Sequence, residues 1–107
     1  MSEDIYYTIA REASVEIKRK GSRFIAEVFD TTTPEDAMTK LEMVRKREHA
    51  ATHHCFAWRV GLEDDIESKY SDDGEPSGTA GKPIYDVLCG RELTNTLVVV
   101  TRYFGGT

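Results

Sequence analysis

Ala13 to Arg19 alternates Val15 and Ile17 with Glu16 and Lys18, and after Gly21-Ser22 a second run, Phe24-Ile25-Ala26-Glu27-Val28-Phe29, is rich in strand-forming residues. The pattern predicts two strands joined by a turn at Gly21-Ser22. Thr33, followed by Pro34, Glu35 and Asp36, has the form of a helix start: a hydroxyl N-cap, proline at the first helical position and carboxylates in the positive first turn. Ala37, Leu41 and Val44, with Met38 beside them, recur at helical spacing, which predicts a one-sided helix to about Glu48 covering a sheet. His53 to Val60 alternates again, with His54, Phe56, Trp58 and Val60 on one face and Cys55, Ala57 and Arg59 on the other, and Gly61 ends this strand.

From Gly61 to about Ser77 no periodicity is visible, and Gly74, Pro76 and Gly78 punctuate the stretch, so a loop is expected there. Loops of that length in a compact domain are usually functional or disordered. A short helix is predicted from around Thr79, with Ile84, Val87 and Leu88 on one face and Gly90 as its stop; Leu97-Val98-Val99-Val100-Thr101 reads as a buried strand. The predicted order is β-β-α-β-α-β.

At 107 residues, one domain is expected. The 14 Lys and Arg against 19 Asp and Glu leave a net charge of −5. Seven carboxylates against Lys69 put −6 between Glu63 and Glu75, so the remainder is +1. Net acidity alone argues against a surface that grips nucleic acid all round, but its concentration in one stretch leaves room for a local basic patch. Cys55 and Cys89 have neither disulfide-framework nor zinc-module spacing and are expected to be reduced thiols. No apolar run approaches the ~18 residues of a membrane span, and the acidic N-terminus does not resemble a signal peptide. A soluble, cytoplasmic protein without membrane contact is expected.

The least ordinary stretch is Tyr70-Ser71-Asp72-Asp73-Gly74-Glu75-Pro76-Ser77-Gly78-Thr79-Ala80-Gly81-Lys82-Pro83. It is not a phosphate-binding P-loop, because Pro76 and Pro83 stand where glycine and a hydroxyl are required. It is not a calcium-binding EF-hand loop either, because Lys69 and Ser71 occupy ligand positions. Ser77, Thr79 and Lys82 at a helix start, with Gly78 and Gly81 allowing close approach, suit a phosphate or carboxylate; the plainer reading is that a hydroxyl caps the helix. Asp72, Asp73 and Glu75 have the chemistry for a hard cation or for acid–base work, and equally that of a solvated loop. His49, His53 and His54 lack the H-E-x-x-H spacing, and His53 and His54 face opposite sides of a strand, so one is expected packed and the other exposed. Arg102 and Tyr103 at a strand end suit phosphate contact or base stacking, whereas Phe104 reads as a core or edge residue.

His53–Gly61, Ser71–Pro83 and Val99–Thr107, with Lys20-Gly21-Ser22-Arg23-Phe24-Ile25-Ala26, closely resemble the N-terminal domain of the IMPACT/YigZ family. The resemblance implies an α+β fold, a two-layer sandwich of the ribosomal-S-five second-domain type, with one mainly antiparallel or mixed sheet and two helices on one face. It further implies translational regulation, exerted in eukaryotic relatives on an initiation-factor kinase through its activator. For bacterial relatives it points to nucleic acid or the translation apparatus. His53, Asp72, Asp73, Glu75, Ser77, Thr79, Lys82, Arg102 and Tyr103 are the candidate ligand surface that follows, with no catalytic residues, metal or cofactor attached. Residues 1–107 are expected to form one domain without the family's following helix and ferredoxin-like domain, as the N-terminal part of a longer protein. Self-association as a homodimer through surface left by the missing part is expected.

The leading expectation is a translation-linked binding module for RNA or a translation-apparatus protein. The alternative is a metal- or phosphate-dependent enzyme built on Asp72, Asp73, Glu75 and His53.

Overall fold

In a computed structural model of the chain, residues 13–19, 21–73 and 81–104 are described. Strands β1 (Ala13–Arg19) and β2 (Ser22–Asp30) pair antiparallel around Gly21, whose φ of 83° suits the tight turn. Helix α1 (Pro34–Arg47) follows. The Thr33 hydroxyl accepts the Asp36 N–H at 3.0 Å, Glu35 and Asp36 occupy the first turn, and Arg45, Lys46 and Arg47 the last, each sign matched to the helix dipole. β3 (His53–Val60), β4 (Glu67–Ser71), α2 (Gly81–Gly90) and β5 (Thr96–Tyr103) complete the chain, with a short 3-10 turn at Glu63–Asp65.

The sheet is five-stranded, in the order β1-β2-β5-β3-β4, with every pairing antiparallel. The fold is therefore α+β, as expected. β4 occupies part of the stretch expected as loop: Glu67 to Ser71 pair with Val60 to Phe56. Apart from Tyr70 this strand carries no large apolar residue, so neither face left a hydrophobic period to read.

Ala37, Leu41 and Val44 of α1 are fully buried against Phe29, Phe56, Trp58, Val60, Leu97 and Val99, which register places on one face of the sheet. The expectation that both helices share that face is corrected. Tyr85 of α2 lies against the Tyr70 ring, at a centroid distance of 5.1 Å, and within 3.5 Å of the Ser68 hydroxyl. Ser68 and Tyr70 pair with Arg59 and Ala57, on the face away from α1. Hence β3 is covered on both sides, and Cys55 and Ala57 are as buried as Phe56 and Trp58. Two crossovers of the usual right hand would have put both helices on one face here, so one of the two is left-handed.

α2 packs on β3 and β4. The rest of its face, carried by β1, β2 and β5, bears Val15, Ile17, Phe24, Ala26, Val28, Val98 and Val100 at exposed or half-buried positions.

Candidate ligand-binding surface

The turn leaving β4 is clamped to three consecutive residues of β3. His53 donates from Nδ1 to the Asp73 carbonyl at 2.7 Å, the His54 backbone N–H donates to Asp73 Oδ2 at 2.6 Å, and the Cys55 thiol donates to the Asp72 carbonyl at 3.3 Å. Because a carbonyl can only accept, the first of these bonds places the His53 proton on Nδ1. The turn itself is closed by the Asp73 N–H on the Ser71 hydroxyl at 3.0 Å, with Asp73 in the left-handed region at φ 48°.

Asp72 reaches the other way. Its Oδ1 accepts the N–H of Gly81, the first residue of α2, at 2.6 Å, so a carboxylate meets one of the helix's unpaired donors at its positive end. Gly81 permits this approach: a Cβ there would overlap the Ser71 carbonyl and lie 2.8 Å from its nitrogen. Both aspartates thus bind backbone amides. Among the described residues no three His, Cys, Asp or Glu side chains group as a metal site.

Arg102 sits directly opposite His53 in the β3–β5 ladder and opposite Phe24 in the β2–β5 ladder. Its guanidinium lies 5.3 Å from the centre of the Phe24 ring and 5.6 Å from that of Phe104. Phe104 is 65% exposed and so is not a core residue; its N–H donates to the Thr52 hydroxyl at 3.3 Å. His53, Arg102, Phe24 and Phe104 therefore form a cationic and aromatic patch at the end of the face that α2 leaves open. Phe24 was legible as a partner of Arg102 only once β5 was known to lie beside β2, whereas Phe104, two residues on from Arg102, shares its face by the period of two.

His54 points the other way, buried, and donates from Nε2 to the Glu48 carbonyl at 2.9 Å. Of the two adjacent histidines, then, one is packed and the other half-buried, and they sit on opposite faces. Tyr103 also lies on the α1 face, bonded to Glu48 and beneath Arg23, whose guanidinium is 4.7 Å from its ring centre. Lys82 is on the first turn of α2, bridged to both oxygens of Asp86 at 3.0–3.1 Å, which holds its ammonium above the usual lysine value. The structure brings together His53, Asp72, Asp73 and Arg102, and it sets Tyr103 on the opposite face. Glu75, Ser77 and Thr79 lie outside the described residues.

Residues 20–107 match the Impact N-terminal domain. The chain is 44% identical over 101 residues to the IMPACT family member YvyE of Bacillus subtilis, covering 94% of this chain and 46% of that protein. It is 46% identical over 88 residues to the IMPACT family member YigZ of Escherichia coli, covering 81% and 43%. A crystal structure described as that of a hypothetical protein superposes with a TM-score of 0.87 at 40% identity, over 94% of this chain and 49% of that one. The two-domain translational regulator Yih1 superposes with a TM-score of 0.67 at 24% identity, over 99% and 42%, a likeness of fold. The chain spans about half the length of the curated relatives it matches. A single profile reaching from the first hairpin to the end of the chain, and bacterial relatives above 40% identity, place this protein in the IMPACT family through its N-terminal domain.

Proposed function

We propose that this domain is a translation-linked binding module that contacts RNA through the patch of His53, Arg102, Phe24 and Phe104. The observation that carries the reading is the guanidinium of Arg102 held between two aromatic rings, one of them exposed, beside a histidine in the neighbouring strand. A cation that meets phosphate, next to a ring that accepts a base, is the combination single-stranded nucleic acid requires. The relationship to a protein described as a translational regulator supports placing that RNA in the translation apparatus. The engagement of Asp72 and Asp73 with backbone amides favours binding over acid–base or metal chemistry at this turn.

Titration of fluorescent single-stranded and hairpin RNA with the chain, at several salt concentrations, tests the proposal. Binding that weakens with salt is expected, with Arg102→Ala and Phe104→Ala each reducing affinity about tenfold. Absence of salt-dependent binding, or affinity unchanged in both variants, overturns it.

A further inference from the structure

Among the described residues β1 is an outer strand of the sheet, and Ala13 to Lys18 are exposed. An outer strand offers main-chain groups to any further strand, and proteins usually blunt such edges with charged side chains, bulges, prolines or a covering segment. β1 has a regular register over all seven residues, from Ala13↔Val28 to Arg19↔Ser22, and contains no proline. Its two faces differ. Val15 and Ile17, 54% and 51% exposed, continue the apolar face of Phe24, Ala26 and Val28 that α2 leaves open. Glu16 and Lys18 lie on the α1 side, where Glu16 pairs with Arg23 at 2.8 Å yet keeps its side chain 45% exposed.

We propose that β1 pairs antiparallel with β1 of a second copy of this chain, about a two-fold axis through Ile17, so that two five-stranded sheets become one. The charges favour this register over its immediate neighbours. Centred on Ile17, it sets Ile17 against its own copy on the apolar face, and on the other face Glu16 of each copy against Lys18 of its partner. Two opposite-charge pairs thus form by symmetry. Moving the centre one residue either way sets Glu16 against Glu16 or Lys18 against Lys18, and like charges directly opposite are destabilising. On the apolar face the joint sets Ile17 against its own copy and Val15 of each copy opposite Arg19 of the other, so that Ile17 is shielded at its centre. In this register five residues of each strand, Val15 to Arg19, are paired, a small area at the weak end of specific interfaces, so association is expected at roughly 10–100 µM protein. Ile17 stands opposite Phe24 of the RNA patch in the β1–β2 ladder, but the strand pairing does not depend on RNA binding there.

Sedimentation of the 107-residue chain from about 1 to 500 µM, at low salt, is the test. The wild-type chain is expected to dimerise. Glu16→Lys and Lys18→Glu, each of which creates two like-charge pairs, should weaken dimerisation about tenfold alone. Mixing the two variants in equal amounts should restore it, because their charges then complement each other across the joint. Circular dichroism of each variant confirms that these exposed substitutions leave the fold intact. A wild-type chain that stays monomeric throughout overturns the proposal, as it would if another part of the chain covered β1. So do variants that dimerise like the wild type, or a mixture that fails to recover.

Discussion

The phenol of Tyr103, on the last strand, donates a hydrogen bond to Glu48, the residue that caps the end of α1, across 55 positions of sequence. Arg47 completes the junction, bonding Glu48 Oε2 from Nε at 3.0 Å and the buried Glu27 of β2 from its terminal nitrogen. The end of the helix is thus tied to two strands at once. Tyr103, and behind it Arg47, hold the Glu48 carboxyl below its usual value, while the bond to Glu48, helped by burial, pushes the Tyr103 phenol up.

These shifts act at opposite ends of the pH scale. The Glu48 contribution is present above the unfolded carboxyl value of about 4.5 and is lost as pH falls through the lower folded value. The Tyr103 contribution is present below about 10 and is lost as pH rises through the higher folded value. Tyr103→Phe should therefore cost about 1–2 kcal/mol near neutrality. It should also flatten the alkaline arm of a stability profile measured by urea unfolding between pH 3 and 11. An unchanged alkaline arm would show that the bond contributes nothing.

The clamp between the Asp72-Asp73 turn and His53-His54-Cys55 makes a different prediction. Asp72→Ala strips an acceptor from the first N–H of α2, and Asp73→Ala strips one from the His54 amide, so each should cost about 1–3 kcal/mol. Asp72→Asn keeps an acceptor and gives up only the charge at the helix N-terminus, worth about 0.3–1 kcal/mol. Thermal unfolding should rank them with Asp72→Asn nearest the wild type. If Ala and Asn at position 72 prove equal, the hydrogen bond to Gly81 is not what the carboxylate supplies.

How far the chain could be read in advance follows from where apolar residues lie. β1, β2, α1, β3 and β5 each carry a period of two or of helical spacing, or an unbroken apolar run, and the core residues Leu41, Phe56, Trp58 and Leu97 fall on those patterns. β4 was illegible because it is an edge strand whose one large apolar residue, Tyr70, is itself 43% exposed, and it is held by pairing with β3 rather than by a face. The side taken by α2 was illegible for another reason. Handedness favours one face for both helices, and only the contacts of Tyr85 with Ser68 and Tyr70 decide for the other. At the candidate surface, residue types pointed to Asp72, Asp73, His53 and Arg102, but the bonds of the aspartates to backbone amides depend on where β4 ends.

Two glycines of α2 separate backbone packing from helix propensity. At Gly81 a side chain would collide with the Ser71 backbone, so Gly81→Ala should push α2 away from β4 and cost about 1–3 kcal/mol. At Gly90 a Cβ would meet nothing within 4 Å, so Gly90→Ala should be neutral or add up to about 1 kcal/mol through helix propensity. Chemical unfolding of the two variants side by side gives the comparison. Equal effects would mean that the close approach at Ser71 is not a constraint on the fold.

The start of α1 supplies a second acid-sensitive element, independent of Glu48. The buried Thr31 hydroxyl donates to Asp36 Oδ2 at 2.7 Å, and Lys40 adds an ion pair at 3.1 Å. Thr31 first, and then Lys40, hold the Asp36 carboxyl below its usual value. A depressed carboxyl contributes stability above its unfolded value of about 3.8, and that contribution fades as pH falls through the folded one. Asp36 is 41% exposed, so solvent screens the pair with Lys40 and the hydroxyl bond carries most of the effect. Thr31→Val keeps the shape but removes the donor. It should lower stability by about 1 kcal/mol at pH 6 and by progressively less below about pH 4, where Asp36 takes up a proton in both proteins. Lys40→Met should lower it by under about 0.5 kcal/mol at any pH. Urea midpoints at pH 3, 4 and 6 separate the two. A Thr31→Val deficit that stays constant across that range would trace the loss to packing of the buried residue, not to the charge on Asp36.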